Sequence, residues 1–545
     1  MKNKVLHILL FTALSLLTAR AQEKVYVVTD RGAYIAGDRV YFSLFCAGDG
    51  DGRSDFSAVS YLELLSTDGT VAEAKAGLFE GRGAGSFLIP STAPTGNYLL
   101  IAYTAGGEAL PEGSRLISVY NTTSTARVKD GVTIVPQGQW SAPDIQEQYD
   151  GQLVLSFPRK AAGGPLRINA PAGTDIALSV SREDGLAAQD GKTLQAFLQA
   201  GKAAPALHSG EYEGEIIVAQ VEGLERGALE GQDRVTAFLS SAGNPTNIYI
   251  GRSDTDGQIR FFTNNIYGNL ELVCEVTSMS GRSCHIAFAS PFSHPEAGPL
   301  PKLALSPSMK EALEARKAAL KAESALDLDT LVRFLPKRND LLLAAAAPVR
   351  YHLDDYTRFP TVREICVEFI PELQFAKRDG VWRVRMNSID AVSSRQFLLD
   401  NILVLMDGVV LTDHGMLEDF DAMLLEDIDI YKQPVALGEV TFNGIVNFIT
   451  KKNYVTALHF PENVRVVDFM GVSYPVAYPG DGETAEGRQL LYWNPALVVP
   501  EEGCSVDIPL PADGGTYRVT AEGWTPDGQA VRSEFLIQSH ARSEN

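Results

Sequence analysis

The sequence has 545 residues, of which 45% are hydrophobic and 21% are charged, and its formal net charge is −21. Hydrophobic residues at this level can build packed cores, which excludes an intrinsically disordered chain. The large excess of carboxylates argues against binding to nucleic acid or to anionic lipid, because both partners are themselves negatively charged.

The chain starts MKNKVLHILLFTALSLLTARAQ, which has the layout of a secretory signal peptide. A basic start at Lys2 and Lys4 precedes an apolar run over residues 5–17 and an A-x-A cleavage site at residues 19–21. That run is too short to span a membrane, and no later run is long enough. We therefore expect residues 1–21 to be removed and the mature chain to be exported without a transmembrane segment. Its expected location is the periplasm or the outer-membrane-associated surface.

Residues 22–121 have the alternation and the turn residues of a β-sandwich. Two stretches show this best, KVYVVTDRGAYIAGDRVYFSLF (24–45) and GSFLIPSTAPTGNYLLIAYT (85–104). The first stretch also resembles the MG2 domain of the alpha-2-macroglobulin family, with the pattern v-y-x-x-T-D-R-x-x-Y-x-x-G-D-x-v-x-F. The residues that match are Val25, Tyr26, Thr29, Asp30, Arg31, Tyr34, Gly37, Asp38, Val40 and Phe42. The resemblance implies an MG2-like sandwich over residues 22–121.

Two more sandwiches are predicted downstream. Residues 122–205 contain the short strand-like runs GQLVLSF, PLRINA and DIALSVS, which predict an Ig-like sandwich. Residues 206–300 contain a D-T-D-G turn (254–257) between two β-rich runs. That turn resembles the carboxypeptidase-regulatory type of Ig-like domain, a module that commonly serves as a spacer or a binding platform.

Cys274 and Cys284 flank a predicted turn in the third of these sandwiches. A hairpin there could place them opposite each other, and an exported chain can then oxidise them to a disulfide. The alternative is two separate buried thiols, and the sequence leaves both open. None of the five cysteines forms a C-x-x-C motif, so neither a redox motif nor a zinc knuckle is predicted.

A helical linker is predicted over residues 301–355. Its sequence SMKEALEARKAALKAESALDL is rich in helix formers, Ser308 and Glu311 have the spacing of a capping box, and Leu313 and Leu320 recur on one face. Two interpretations are open. The helix could dock on a partner as a coiled coil, or it could connect two domains and pack its leucines on a neighbouring one.

Residues 356–455 contain a series of short motifs in a fixed order. Thr361 and Glu364 form a capping box before a short amphipathic helix. The apolar run 402–406 is typical of a strand buried on both faces, and Asp407-Gly408 turns it. The last motif is NGIVNFITKK, residues 443–452.

In this order the motifs resemble the plug domain of TonB-dependent outer-membrane receptors. The resemblance implies an α+β plug-like domain in which the motif residues are structural: Asp407, Gly408, Asn443, Gly444, Thr450 and Lys451. Glu372 and Gln433 stand where plugs usually have glycine. Nothing about siderophore or vitamin uptake follows from the resemblance.

Only 93 residues follow Lys452. Receptor barrels have about 22 strands of about 9–11 residues each. We therefore expect a plug fold without its own barrel, followed by a C-terminal β-sandwich over residues 456–545. The whole order resembles a Bacteroidota-type family of exported proteins that carry an MG2 domain and a plug-like domain.

The sequence shows no catalytic or cofactor motif. H-E-x-x-H and G-x-S-x-G are absent, and DGLAAQDGKT has five residues between Gly185 and Gly191, where a P-loop needs four. The thioester run G-C-G-E-Q of alpha-2-macroglobulins is also absent. Seven histidines outside the signal peptide are isolated in sequence: His208, His285, His294, His352, His414, His459 and His540. We therefore predict no enzyme, no cofactor and no metal site.

One acidic loop leaves a question open. Asp49, Asp51 and Asp55 could offer oxygen ligands to Ca²⁺, although the full EF-hand pattern is missing. The alternative is a solvated loop between strands.

Taken together, these patterns predict a mainly β, multidomain protein: several Ig-like or macroglobulin-like β-sandwiches plus one small α+β plug-like domain. The main functional hypothesis is a non-enzymatic cell-envelope protein that binds or scaffolds other envelope proteins through the plug-like domain. An alternative is an accessory component of a TonB-dependent transport system that gates or docks on a separate outer-membrane β-barrel. A third is an enzyme with an unrecognised site.

Overall fold

The structure is a computed structural model of the chain. It describes residues 23–48, 52–107, 109–125, 131–139, 147–149, 152–158, 164–186, 190–200, 210–223, 234–242, 244–264, 266–278, 284–325, 332–333, 348–389, 396–452, 460–478 and 488–539. The predicted signal peptide lies outside these residues, as do Asp49 and Asp51 of the possible calcium loop.

The described residues form 37 strands and three α-helices. The strands of the first part of the chain are β1 (Lys24–Thr29), β2 (Ala33–Ile35), β3 (Arg39–Ala47), β4 (Val59–Ser66), β5 (Gly69–Phe79), β6 (Arg82–Leu88), β7 (Gly96–Tyr103), β8 (Arg115–Tyr120), β9 (Val132–Ile134), β10 (Gln148–Tyr149), β11 (Val154–Ser156), β12 (Gly164–Asn169), β13 (Asp175–Arg182), β14 (Ile216–Glu222), β15 (Val235–Ser241), β16 (Asn244–Arg252), β17 (Gln258–Phe262), β18 (Asn269–Ser278), β19 (His285–Phe288) and β20 (Leu303–Leu305). Those of the second part are β21 (Val332–Arg333), β22 (Val349–His352), β23 (Leu373–Arg378), β24 (Val381–Ile389), β25 (Gln396–Leu399), β26 (Leu403–Met406), β27 (Val409–Val410), β28 (Leu425–Tyr431), β29 (Val435–Leu437), β30 (Val440–Phe442), β31 (Ile445–Thr450), β32 (Val464–Met470), β33 (Val476–Ala477), β34 (Leu490–Val498), β35 (Cys504–Ile508), β36 (Gly515–Trp524) and β37 (Ala530–Ser539). The helices are α1 (Leu194–Gln199), α2 (Lys310–Ala325) and α3 (Val362–Glu368).

The predicted mainly β, multidomain class is confirmed by this content. The chain divides into two compact units, each made of separate stretches. Unit 1 comprises residues 1–214, 292–335 and 472–545, and unit 2 comprises residues 215–291 and 336–471.

The first sandwich of unit 1 is one eight-stranded sheet in the order β1-β3-β6-β5-β4-β7-β8-β2. β5 belongs to both halves of this sheet, because most of its length pairs with β4 while Leu78 and Phe79 pair with β6. The sheet therefore folds over on itself, and its two halves enclose one hydrophobic core.

The residues of the MG2-like pattern close the connection from β1 to β3. Asp30 Oδ1 accepts hydrogen bonds from the Tyr34 hydroxyl (2.7 Å) and from the Tyr41 amide (3.0 Å). Asp38 Oδ2 accepts one from the Ile35 amide (2.9 Å). Burial raises the pKa of Asp30 to about 6. These acidic residues therefore shape the backbone of the connection.

The continuous apolar run of β1 has a structural reason. Val25 and Val27 face the core of the first sandwich. On the opposite face, Tyr26 packs in a second cluster with Trp493 and Trp524, which come from the C-terminal part of the chain. Because side chains alternate along a strand, a strand covered on both faces is apolar throughout.

The second sandwich of unit 1 is discontinuous in sequence. Its larger sheet has the order β10-β37-β36-β13-β34, and its smaller sheet has the order β11-β12-β35. β13 lies between β34 and β36, so Val180 pairs with both Tyr492 and Val519. The prediction of two separate sandwiches, at residues 122–205 and 456–545, is therefore wrong. Strands from both stretches supply a single core, because each stretch alone leaves the apolar faces of its strands uncovered.

Unit 2 contains a third sandwich, with sheets in the order β17-β14-β19 and β16-β15-β18-β32 around one core. β32 pairs with β18, so residues 464–470 belong here and not to a C-terminal sandwich. The D-T-D-G turn connects β16 to β17 and thus crosses from one sheet to the other. Asp254 Oδ1 caps this turn by accepting the Gln258 amide at 2.8 Å.

Cys274 and Cys284 are free thiols in the core of this third sandwich. Cys274 lies on β18, whereas Cys284 precedes β19 in the other sheet, so the expected hairpin does not form. The structure therefore has the second alternative, two separate buried thiols, and not the disulfide. Burial raises the pKa of both thiols.

The rest of unit 2 is an α+β region. It combines a five-stranded mixed sheet, β22-β28-β31-β26-β27, with an antiparallel sheet, β23-β24-β25, and with α3. The predicted capping box is confirmed: Thr361 Oγ1 accepts the Glu364 amide, and the Glu364 carboxylate accepts the Thr361 amide. β26 is buried on both faces, as predicted from its apolar run.

The predicted linker contains α2, which packs on the first sandwich. Leu313 and Leu320 contact a cluster formed by residues of β2 and β8. Arg316 is buried. Its Nε and Nη2 donate hydrogen bonds to the two carboxylate oxygens of Asp184, at 2.5 and 2.8 Å. Of the two interpretations, the structure has the connecting helix that packs on a neighbour. No helix in the described part of the chain has both the length and the apolar character needed to cross a membrane.

Replacing Val519 with Asp tests the discontinuous sandwich. Val519 is fully buried on β36 beside β13, and an unpaired carboxylate there costs roughly several kcal/mol. We expect the amides of residues 175–182 to lose protection in hydrogen–deuterium exchange. Val381→Asp, at an exposed strand position of unit 2, is the matched control and should leave that protection unchanged. Full protection of residues 175–182 in the Val519→Asp variant would contradict the pairing.

Candidate functional site

Asp407 and Gly408 form the turn of a tight hairpin between β26 and β27. Their φ angles are +48° and +84°, and the flanking residues Met406 and Val409 pair with each other. Two consecutive residues at positive φ are typical of a type I′ turn, in which Asp-Gly is a preferred pair. The predicted turn is therefore confirmed. Asp and Gly occur here because both positions require a positive φ angle.

The same turn binds the end of β31. Asp407 is buried, and its two carboxylate oxygens accept the amide and the hydroxyl of Thr450, each at 2.7 Å. The Gly408 amide donates to the side chain of Asn447 at 3.1 Å. β26 and β31 are parallel neighbours in the sheet, which brings together motif residues that are 43 positions apart. These bonds fix the register of the two strands.

The other motif residues flank β31: Asn443 and Gly444 precede it, and Lys451 follows it. The Asn443 side chain and amide donate to the carbonyl oxygens of Asp400 (2.6 Å) and Asn401 (2.9 Å). Gly444 accepts the Leu403 amide at 3.0 Å. These contacts are made just before β31 begins, whereas the Asp407 turn binds Thr450, the last residue of β31.

Lys451 follows Thr450, and its backbone amide donates a hydrogen bond to the Leu424 carbonyl oxygen at 3.0 Å. The structure thus joins Asp407, Gly408 and Thr450 in one group and places the remaining motif residues at other points of the sheet. Each of these residues makes a contact that involves the backbone of this sheet or of the segments next to it.

The sheet has two edges of different character. At one edge, β27 contacts the third sandwich: the Val410 amide donates to Ser240 Oγ at 3.2 Å, and the Thr412 amide donates to the Glu275 carboxylate at 2.9 Å. At the other edge, β22 pairs with β28 alone among the described strands.

An aromatic patch lies beside the β22 edge. Its four rings belong to Tyr351, Tyr356, Phe359 and Phe369. Tyr356 stacks on Phe369 with centroids 4.5 Å apart and still has 41% of its surface exposed. Val349, on β22 itself, is 37% exposed. No sequence pattern indicates this patch, because its rings are separated by polar residues and come together only in the folded chain.

Charged residues hold the β22 edge in place. Arg350 forms a bidentate pair with Asp429 (2.7 Å for both contacts), and His352 contacts Asp427 at 2.7 Å. The hydrogen bond to Asp427 raises the pKa of His352. The edge strand is thus fixed on its inner side by partners on β28.

Unit 1 contains a charged cleft of about 100 Å³. Six arginines line it, and each pairs with a carboxylate: Arg31, Arg115, Arg182, Arg316, Arg518 and Arg532. The Glu522 carboxylate accepts hydrogen bonds from four donors. Its Oε1 accepts from the Tyr26 hydroxyl (2.9 Å) and the Leu194 amide (2.7 Å). Its Oε2 accepts from the guanidinium groups of Arg115 (2.8 Å) and Arg532 (3.1 Å).

The electrostatics of this cleft favour a structural role. Burial by itself would raise the pKa of Glu522. The charges of Arg532 and Arg115, together with the hydrogen bonds from Leu194 and Tyr26, outweigh burial and lower that pKa below its usual range. The carboxylate is therefore held ionised between two cations. It connects strands of the first sandwich to strands of the second.

No protein-family model matches the sequence, and no curated protein matches it. Among solved structures, methylamine-reacted alpha-2-macroglobulin of Salmonella has 11% identity over 95% of this chain and 40% of its own, with a TM-score of 0.25. Native alpha-2-macroglobulin of E. coli has 9% identity over 96% of this chain and 40% of its own, with a TM-score of 0.25. The adhesin InvE of Yersinia pseudotuberculosis has 12% identity over 48% of this chain and 57% of its own, with a TM-score of 0.14. The chain spans about 40% of the length of these macroglobulins, and a likeness this weak carries no conclusion about function.

Replacing Gly444 with Ala tests the motif at the start of β31. A Cβ at this position would lie 2.7 Å from Met386 Cε and 2.8 Å from the Tyr431 carbonyl oxygen. Overpacking of this kind costs about 1–3 kcal/mol. We expect a lower urea midpoint for the loss of amide protection in residues 445–450. Gly131→Ala, where the new Cβ meets open space, should leave that midpoint unchanged.

Replacing Glu522 with Gln tests the charged cleft. The change leaves the buried guanidinium of Arg115 and the partly buried one of Arg532 facing a neutral amide. The loss of one partner of a buried ion pair costs about 3–5 kcal/mol. The urea midpoint of unit 1, followed by the fluorescence of Trp493 and Trp524, should fall accordingly. Asp513→Asn removes an ion pair with Arg182 that is half exposed, and we expect it to cost less than about 1 kcal/mol. Equal effects of the two variants would contradict a structural role for Glu522.

Proposed function

We propose that this protein is a non-enzymatic, modular protein of the cell envelope that binds or scaffolds other envelope proteins. In this proposal the α+β region of unit 2 is the docking module, and the sandwiches are spacers or platforms. The plug-like character of that region is part of the proposal. It is supported by the capped helix α3, the buried strand β26 and the Asp407-Gly408 hairpin, which follow one another in the order seen in receptor plugs.

The observation that carries this proposal is the aromatic patch beside the β22 edge. Tyr356 is exposed, and the other three rings are partly buried. Aromatic side chains are enriched in protein interfaces and among their hot spots. An edge strand can accept a strand from a partner through backbone hydrogen bonds. Here both features lie side by side, and the opposite edge of the same sheet is occupied by contacts with the third sandwich.

The partner that fits this surface has an extended segment with an apolar side chain. The segment would pair with β22, and the side chain would pack against Tyr356 and its neighbours. Whether such a partner is a scaffolded envelope protein or an outer-membrane barrel of a TonB-dependent system changes the biology but not the surface. The second case is the alternative function expected from the sequence.

Photo-cross-linking in intact cells tests the proposal. A benzoylphenylalanine placed at Tyr356 should capture a specific envelope protein that mass spectrometry identifies. The matched control is the same group at Phe79, an exposed ring of unit 1 that should not capture that protein. The identity of the partner then separates scaffolding from docking on a barrel.

A second pair of variants tests the strand edge. Lysine on an edge strand opposes the addition of another strand. Val349→Lys should therefore weaken capture at position 356, whereas Val381→Lys, at an exposed position on another sheet, should not. Capture of the same proteins from positions 356 and 79, or none from either, would contradict the proposal.

A further inference from the structure

Two glutamates face each other across strands of the first sandwich. Glu63 on β4 pairs directly with Glu73 on β5. Glu63 is fully buried, and the side chain of Glu73 is 28% exposed. Like charges directly opposite each other destabilise an antiparallel pair. Positive charge close by would therefore stabilise the pair.

His294 lies over this pair. Its Nδ1 is 3.2 Å from Glu63 Oε2 and 3.4 Å from Glu73 Oε1. Thr70 Oγ1 donates to Glu63 Oε2 at 2.8 Å and is 3.4 Å from the same imidazole nitrogen. One potential ligand atom from each of the two glutamates and the histidine lies within 4.8 Å of the others. We call these three residues the Glu-Glu-His cluster.

The second oxygen of Glu63 holds the cluster in place. Glu63 Oε1 accepts the Tyr103 hydroxyl at 2.6 Å and the His294 amide at 3.1 Å. The Ser293 amide in turn donates to the Tyr103 hydroxyl at 2.7 Å. Hydrogen bonds of this kind orient the carboxylates that bind metal ions in proteins. Here they engage Oε1, so that Oε2 is the oxygen that meets the imidazole.

A direct ion pair accounts less well for these distances. Charge-assisted N–H···O bonds are about 2.7–2.9 Å long, and His352 makes one with Asp427 at 2.7 Å in this chain. His294 instead stands at 3.2 and 3.4 Å from two carboxylate oxygens. The charge of Lys75 also acts on Glu73.

The distances from His294 Nδ1 to the two carboxylate oxygens, 3.2 and 3.4 Å, are close to the edges of a coordination tetrahedron. With metal–nitrogen and metal–oxygen bonds of about 2.0–2.2 Å, neighbouring ligands of a tetrahedral zinc site are about 3.3–3.5 Å apart. We propose that Glu63, Glu73 and His294 bind one divalent transition-metal ion of the zinc class, with water as fourth ligand. A mixed set of imidazole and carboxylates favours such an ion over Mg²⁺ and Ca²⁺, which prefer oxygen ligands alone.

The bound ion would act as a structural clasp. It neutralises the glutamate pair and ties residues 292–294 to β4 and β5. His294 is half exposed, which gives the ion a route into the site. This structural role does not involve the docking surface of unit 2. The metal site can therefore be tested independently of the proposed function.

Calorimetry on the full chain, stripped of metal with a chelator, tests the clasp. We expect one equivalent of Zn²⁺ to bind, at least about tenfold more tightly than Mg²⁺ or Ca²⁺. Glu73→Gln and His294→Asn should each abolish this equivalent. Asn is chosen because it tolerates the φ of +46° at His294. His352→Asn removes an exposed histidine outside the cluster and should bind Zn²⁺ as the wild type does.

Hydrogen–deuterium exchange provides a second readout that does not depend on the variants. Adding Zn²⁺ to the stripped wild-type chain should increase the protection of residues 292–294. The proposal is overturned if Zn²⁺ does not saturate one site, if the Glu73→Gln and His294→Asn variants bind it unchanged, or if that protection does not rise.

Discussion

The carboxylate of Glu522 is the constraint on which the arrangement of unit 1 depends. It takes donors from the first sandwich, at Tyr26 and Arg115, and from the second, at Arg532. A buried carboxylate that lacks any of these partners is strongly unfavourable, so the strands that carry them must come together as a set. Arg115 and Glu522 are 407 positions apart. Unit 1 therefore cannot complete its packing until both distant parts of the chain are present.

In unit 2, a buried carboxylate likewise joins parts of the chain that are distant in sequence. The buried carboxylate of Asp407 holds Thr450 and thereby sets the register of two parallel strands. The hairpin that follows carries β27 onto the third sandwich through Ser240. One edge of the mixed sheet is thus occupied within the unit, and β22 lies at the other edge with the aromatic patch. The proposed docking surface therefore lies at the edge opposite to this turn, where β22 pairs with β28.

The two proposals rest on different physical terms. Docking depends on removing apolar and aromatic surface from water, which is not directional and suits a protein partner. The clasp depends on charge, because two opposed carboxylates in a sheet gain most from a doubly charged ion. The charged cleft shows the contrast: its guanidinium groups already pair with carboxylates, and it gains little from an additional ion.

The sequence by itself determined the features that depend on close neighbours in the chain. The capping box at Thr361, the turn at Asp407-Gly408 and the buried run of β26 each involve a few consecutive residues whose chemistry is readable locally. Only the tertiary structure decided which strands share a sheet. An apolar strand such as β13 shows that its faces are buried but not which strands lie beside it, and its partners β34 and β36 are about 300 residues away. The Glu-Glu-His cluster and the aromatic patch escaped for the same reason, because contacts between distant residues leave no spacing or period in the sequence.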